Sequence, residues 1–250
     1  MKTKLNRTVD RAVTMLEILS NNSEGLTLNE ICDIMEIPKS SCFDILHTLV
    51  NLNMVEGIGR DGKTYRIGVK SFVIGNHYME NKQLVDIARA KIERIGDKYA
   101  KSVFLAEDNL GHVVYIYKYQ PKISTVVASC KIGTKNDYYN TALGKCMLAF
   151  REDHMSQVDN FYEKGLIKDK DRFLQQIIDI RRNRFVYSDQ EHQKQLFCIA
   201  VPIFDHKSDV SYALSLSGLY NSNSECERER DDLKDIAREI SQEIGYIGTY

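Results

Sequence analysis

Residues 27–49 read TLNEICDIMEIPKSSCFDILHTL. Thr27-Leu28-Asn29-Glu30 has the spacing of a capping box, in which Thr27 accepts from the Glu30 backbone N–H and the Glu30 carboxylate reaches back to Thr27. A helical period follows, with Leu28, Ile31, Cys32 and Met35 on one apolar face. Glu36-Ile37-Pro38 makes a short turn, and Pro38 fits at or just before the next helix start, where an N–H is unneeded. A helix then runs from Lys39 to about Leu52 and buries Cys42, Ile45, Leu46 and Leu49. With side chains advancing by about 100° per residue, the opposite face centres on Ser40, Asp44, His47 and Asn51, with Phe43 and Thr48 beside them.

Outward from this stretch the pattern extends both ways. Upstream, Val9, Ala12, Val13, Leu16 and Leu19 recur at helical spacing until Asn21, Asn22, Ser23 and Gly25 break the run. Downstream, residues 54–58 and 64–67 read as two strands, and Asp61-Gly62 predicts a two-residue hairpin turn because both positions tolerate positive φ. Helix, helix, turn, helix and hairpin together outline a winged helix-turn-helix, mainly α with a β wing, over residues 1–68. A helix about 10–12 Å wide enters the DNA major groove with its polar face on the base edges. The residues placed at such an interface are Lys39, Ser40, Ser41, Phe43, Asp44 and His47 on the helix, and Arg60 and Lys63 at the wing tip, where cations reach phosphates. Lys39, Ser40 and Ser41 sit at a helix N-terminus, which favours phosphate. Nine basic residues face nine acidic ones over residues 1–70, so non-specific binding is expected to be weak, and a protein-interaction role for the unit stays open.

The whole chain of 250 residues is long enough for two domains, and its net charge of −1 excludes a uniformly basic nucleic-acid coat. The cysteines, Cys32, Cys42, Cys130, Cys146, Cys198 and Cys226, form no C-x-x-C pair, so packed thiols in a reducing compartment are expected. No apolar run has transmembrane length and the first residues lack a signal core, which predicts a cytoplasmic protein.

Residues 69–82 read as a linker and residues 83–250 as an α+β domain. A long helix spans residues 81–99. Strands follow at 101–107, 112–119 and 123–130, with the first two joined around Asn109-Leu110-Gly111. A small-residue helix begins at Thr141, where Gly144 admits either a ligand or close packing. A helix over 173–184, strands at 196–204 and 210–218, and a closing helix over 225–244 complete the series. Ser215 and Ser217 alternate with Leu214 and Leu216, so one strand face carries two hydroxyls, turned either to solvent or to a pocket.

Several segments in order resemble the IclR (isocitrate lyase regulator) family of bacterial transcription regulators. They are residues 8–13 (TVDRAV), 26–31 (LTLNEI), 37–41 (IPKSS), 65–68 (YRIG), 141–145 (TALGK), 198–204 (CIAVPIF) and 215–218 (SLSG), with Asp189 and Glu191-His192 between. The resemblance implies a GAF-like effector-binding and oligomerisation domain, a homodimer or homotetramer, and double-stranded operator DNA as partner. It also implies repression more than activation, no cofactor, and no catalysis. By carry-over, Ala142, Leu143 and Gly144 line an effector pocket, and Asp189, Cys198, Ser215 and Ser217 hydrogen-bond a small organic acid. Asp44, Tyr139 and Gln195 depart from the arginine, histidine and glycine common at those places. Two other readings are open: a metal or redox sensor built on Cys198, His192 and Asp189, and a small-molecule enzyme using Asp189, Glu191 and His192. The latter pair are neighbours that point apart on a strand, and no nucleophile elbow, Walker loop or dinucleotide fingerprint is present.

Overall fold

The computed structural model describes residues 5–59, 62–80, 83–124, 130–189, 197–219 and 223–250, without the side chains of 78–80, 189 and 223–225. It divides into two compact units, residues 1–81 and 82–250.

In the first unit α1 (Arg7–Ser20) starts at Asn6, whose side chain accepts from the N–H groups of Thr8 and Val9 at 3.0 and 3.2 Å. α2 (Leu28–Met35) has the expected capping box: Thr27 N donates to Glu30 Oε2 at 2.7 Å, and Glu30 N donates to Thr27 Oγ1 at 3.4 Å. Such a cap is worth about 1 kcal/mol. Glu36 takes the left-handed conformation that turns the chain, and Pro38 precedes α3 (Lys39–Asn51). Met15, Leu19, Ile31, Cys32, Cys42, Ile45, Leu46, Leu49 and Val55 close a single core. Val9 and Val13 are not part of it. They share the α1 period but stay 61% and 52% exposed, because Met15 and Leu19 already fill the inward face.

The wing contains β2 (Val55–Ile58) and β3 (Thr64–Ile67), with β1 (Leu26–Thr27) added on the far side of β3. Its register corrects the expected turn. Ile58 lies opposite Thr64, so residues 59–63 connect the strands, whereas a two-residue Asp61-Gly62 turn would pair Ile58 with Tyr65 and shift every pair by one. Gly62 does adopt positive φ, at 62°. Residues 69–82, read as a linker, contain a helix, α4 (Val69–Glu80). Ser71 Oγ donates to Met54 O at 3.1 Å, tying α4 to the wing's first strand.

The second unit is built on a six-stranded antiparallel sheet of order β6-β5-β4-β9-β8-β7. The strands are β4 (Ser102–Asn109), β5 (His112–Tyr119), β6 (Lys135–Asp137), β7 (Val186–Asp189), β8 (Phe197–Ile203) and β9 (Tyr212–Gly218). Leu110 and Gly111, both at positive φ, join β4 to β5 as a two-residue turn. The strand expected at 123–130 falls mostly outside the described residues. The edge is instead taken by β6, a short polar strand without an apolar alternation to betray it.

The long helices α5 (Gln83–Tyr99) and α9 (Asn223–Glu243) pack together on one face of the sheet. They are pinned to the strand ends by a buried pair, Lys101 Nζ to Glu229 Oε1 and Oε2 at 2.7 and 2.8 Å. The other face carries α6 (Ala142–Leu148), a helix with every residue buried. Outside it lie α7 (His154–Glu163) and α8 (Lys170–Asn183), whose Phe161, Phe173, Ile177 and Ile180 join α6 in one core with Phe104, Ala106, Tyr115, Ala200 and Ala213 of the sheet. The unit is therefore layered: a helix pair, the sheet, α6, then α7 and α8.

Candidate functional site

Two surfaces, one in each unit, hold part of the expected residues. On α3, the apolar stripe of Cys42, Ile45, Leu46 and Leu49 is buried as the period requires. Lys39, Ser40, Phe43, Asp44, His47, Thr48 and Asn51 are exposed on the opposite face, while Ser41 is half-buried. The face is ordered by contacts one helical turn apart. Phe43 stacks on His47 with centroids 5.8 Å apart, and Asn51 Nδ2 lies 3.1 Å from His47 Nδ1. With the Asn51 amide donating to Nδ1, the neutral imidazole carries its proton on Nε2 and presents a donor outward. Thr48 turns its hydroxyl back to Asp44 O at 2.8 Å, leaving the Asp44 carboxylate at the centre of the face.

Unlike α1 and α2, α3 has no side-chain cap, so its first N–H groups are not met by a neighbouring side chain. Such a helix start offers donors to an anion. Lys63 is exposed on the wing, and Arg60 lies outside the described residues. Arg66, not singled out from the sequence, pairs across the wing with Glu56 at 2.6 Å. Beneath α3, burial first and the neighbouring Cys32 thiol second push Cys42 up to about 12. It stays a protonated packing group at neutral pH.

In the second unit, strand register assembles a polar row that the sequence hides. Ser102 lies opposite Ser217, Ser217 opposite Cys198, and Cys198 opposite Ser188. Directly paired residues point to the same side of a sheet, so four strands place three hydroxyls and a thiol side by side. Cys198 packs against the α6 core, which identifies the face. Cys198 Sγ and Ser217 Oγ are 3.2 Å apart. Ser102 Oγ is fully enclosed and has no protein hydrogen-bond partner. A buried hydroxyl left so costs about 1–3 kcal/mol, a deficit that a bound polar group can cancel.

Ser215 belongs to the next row, between Ala200 and Phe104. Both serines of β9 are buried, which overturns the solvent-facing alternative: α6 covers the strand. Tyr115 stands on the same face, edge-on to Phe104 at 5.4 Å. Burial above all, then the Cys130 thiol and the nearby Cys198, push its hydroxyl well above the usual phenol range, so it stays a donor.

Ala142 and Leu143 are buried at the start of α6. Gly144 is decided by packing. A Cβ there would stand 2.5 Å from both Cα and O of Tyr138, and Gly144 N donates to Thr141 Oγ1 at 2.9 Å. The backbone of Tyr138, not a vacant space, occupies the room that the missing side chain leaves. Asp189 is placed only by its backbone, opposite Phe197, and Glu191, His192 and Gln195 lie outside the described residues. Among the described residues no three metal-ligating side chains gather. Ser102, Ser188 and Tyr115 escaped the sequence reading because cross-strand register, not local pattern, brings them to the row.

Comparison with known proteins matches two family profiles. One, described as the IclR helix-turn-helix domain, covers residues 8–58, and the other, described as bacterial transcriptional regulator IclR C-terminal, covers residues 76–246. The DNA-binding transcriptional repressor YiaJ of Escherichia coli is 25% identical over 94% of this chain and 87% of its own. The crystal structure of an IclR transcriptional regulator from Alicyclobacillus acidocaldarius superposes with a TM-score of 0.83 at 22% identity, covering 96% of this chain and 99% of that one. An IclR homologue from Microbacterium hydrocarbonoxydans, solved in complex with 4-hydroxybenzoate, gives 0.79 at 19% identity over 95% and 98%.

Proposed function

The chain belongs to the IclR family of bacterial transcriptional regulators, and from that premise we propose that it represses transcription by holding an operator as a homodimer and releasing it to a small organic acid. The observation that supports DNA reading most directly is the exposed, internally ordered face of α3 above a fully buried stripe. Lys39 and the open helix start fit a phosphate. Phe43, Asp44 and His47 reach the base edges, and Lys63 and Arg60 hold the flanking backbone.

The effector is assigned to the sheet face under α6, where Ser102, Cys198, Ser215, Ser217 and the Tyr115 phenol lie on one side, with Ala142 and Leu143 as the facing wall and Asp189 at the edge. Hydroxyl and phenol donors suit a carboxylate, and the chemistry agrees with the aromatic acid held by the Microbacterium homologue. Such a protein works in the cytoplasm, and no helix among the described residues is long and apolar enough to cross a membrane.

Self-association is supported by apolar surface in the first unit. Leu5, Val9 and Val13 follow one another at four-residue steps and are exposed, as are Val69, Phe72, Val73 and Ile74 on α4. Large exposed apolar side chains gathered on one helix face fit burial against a second copy. The reading is tested by selecting bound duplexes from a random-sequence pool at moderate salt. Enrichment of a two-fold site with half-sites about 34–36 Å apart supports it. Absence of any enriched site, with and without small organic acids, rejects it.

A further inference from the structure

The exposed face of α3 carries an ordered pair of hydrogen-bonding groups. His47 is held from both sides, each one helical turn away. Phe43 stacks on its ring with centroids 5.8 Å apart and planes 22° apart, and Asn51 Nδ2 lies 3.1 Å from His47 Nδ1. With the amide donating, Nδ1 accepts and the ring proton sits on Nε2. Nε2 is the nitrogen farther from the backbone, so the tip of His47 presents an N–H donor.

Asp44 lies three residues before His47, a spacing that puts two helical Cβ atoms about 5–6 Å apart on one face. It is exposed, and among the described residues no side chain pairs with its carboxylate. Thr48, beside it, turns its hydroxyl proton back to Asp44 O at 2.8 Å. An acceptor that cannot donate and a donor of fixed tautomer therefore stand side by side.

Only some base pairs complement that order. In the major groove a C·G pair offers the cytosine N4 amino group next to guanine O6 and N7, two acceptors. An A·T pair also sets an amino group beside an acceptor, but thymine has O4 alone, flanked by a methyl group that crowds an imidazole. A carboxylate facing DNA repels phosphate unless a base amino group meets it, which ties Asp44 to the cytosine side and leaves the guanine side to His47.

Resting on the operator reading above, we propose that Asp44 and His47 together read one C·G pair in each half-site, His47 Nε2–H donating to guanine and Asp44 accepting from cytosine N4. Asn51 is the positioning residue, acting through the tautomer of His47. Specificity at that pair is thus written by three side chains, one of which touches no base in this role.

The test takes a duplex selected by the full chain and competes it against duplexes changed at one pair per half-site. At one position, C·G to A·T should weaken binding about tenfold or more. Hypoxanthine in place of that guanine, which alters only the minor-groove edge, should leave affinity unchanged. His47→Ala should remove most of the preference at that position alone, and His47→Ala/Asp44→Ala should lose little more than either single variant, since both contacts serve one pair. Asn51→Leu should lower the same preference while the melting temperature and the salt dependence of binding stay unchanged, which a merely structural role would not allow. An equal loss at every pair in His47→Ala, a His47-dependent preference for A·T, or sensitivity to hypoxanthine overturns the proposal. An enriched site indifferent to His47 overturns it alone, whereas no enriched site at all rejects the operator reading and this proposal with it.

Discussion

At the scale of single residues, two positions carry opposite expectations. Asp44 puts an exposed carboxylate in the middle of the α3 face proposed to meet a polyanion. A carboxylate accepts from cytosine N4, and one good base contact discriminates by about 1–3 kcal/mol. Asp44→Ala should therefore keep operator affinity within a few-fold, since a phosphate repulsion goes with the contact, while discrimination at one base pair per half-site falls about tenfold. Competition among duplexes substituted one pair at a time measures this, and unchanged preferences at every pair would remove Asp44 from the readout. Gly144 is the opposite case, structural where a pocket role was equally open. Alanine there must displace the Tyr138 backbone, which has no free rotamer to yield. Overpacking of this sort costs about 1–3 kcal/mol, so Gly144→Ala should lower the melting temperature with or without effector. An unchanged melting temperature would return the glycine to the pocket reading.

At the scale of elements, the second unit depends on a tie between helix and sheet. Lys101 and Glu229 are 6% and 1% exposed, and the pair joins the start of β4 to α9. Removing one partner leaves the other charge buried, at about 3–5 kcal/mol, whereas an apolar pair of similar volume is near neutral. Lys101→Met should thus unfold at clearly lower denaturant than Lys101→Met/Glu229→Leu, and a double variant no better than the single would show that the lost stability is packing, not stranded charge. The sequence discloses such ties poorly, and for the same reason it discloses the fold unevenly. The stripe of α3 was legible because one helix fixes it through its own period. The wing turn was not, because Asp61-Gly62 is only one of several loops that the flanking strands permit and the ladder from Val55 to Ile58 selects another. The row from Ser102 to Ser188 was half legible: β9 showed its two serines, but their neighbours come from three other strands whose alignment no local pattern records. α4 escapes the sequence reading because the bare Phe72, Val73 and Ile74 follow one another directly and blur the helical period.

At the scale of the whole molecule, that bare face and the neutral first unit bear on one another. Nine basic and nine acidic residues over positions 1–70 give little long-range attraction to DNA, so a single unit is a weak binder. In the proposed dimer, affinity comes from engaging two half-sites at once, which raises the effective concentration of the second contact by the tether to the first. The exposed apolar residues of α1 and α4 are the surface we propose for that pairing, since burying them between copies would stabilise the pair by roughly 25 cal/mol per Å² of apolar surface before the costs of association. Val9→Asp/Phe72→Asp alters two exposed side chains outside the first unit's core, so folding should persist while each charge resists burial between copies. Sedimentation should show a smaller species at micromolar protein, and affinity for a full operator should fall by at least a hundredfold while affinity for an isolated half-site stays within a few-fold. A variant that remains associated yet loses both would assign these side chains to the DNA contact itself. One that remains associated and binds normally would move the dimer contact to the second unit.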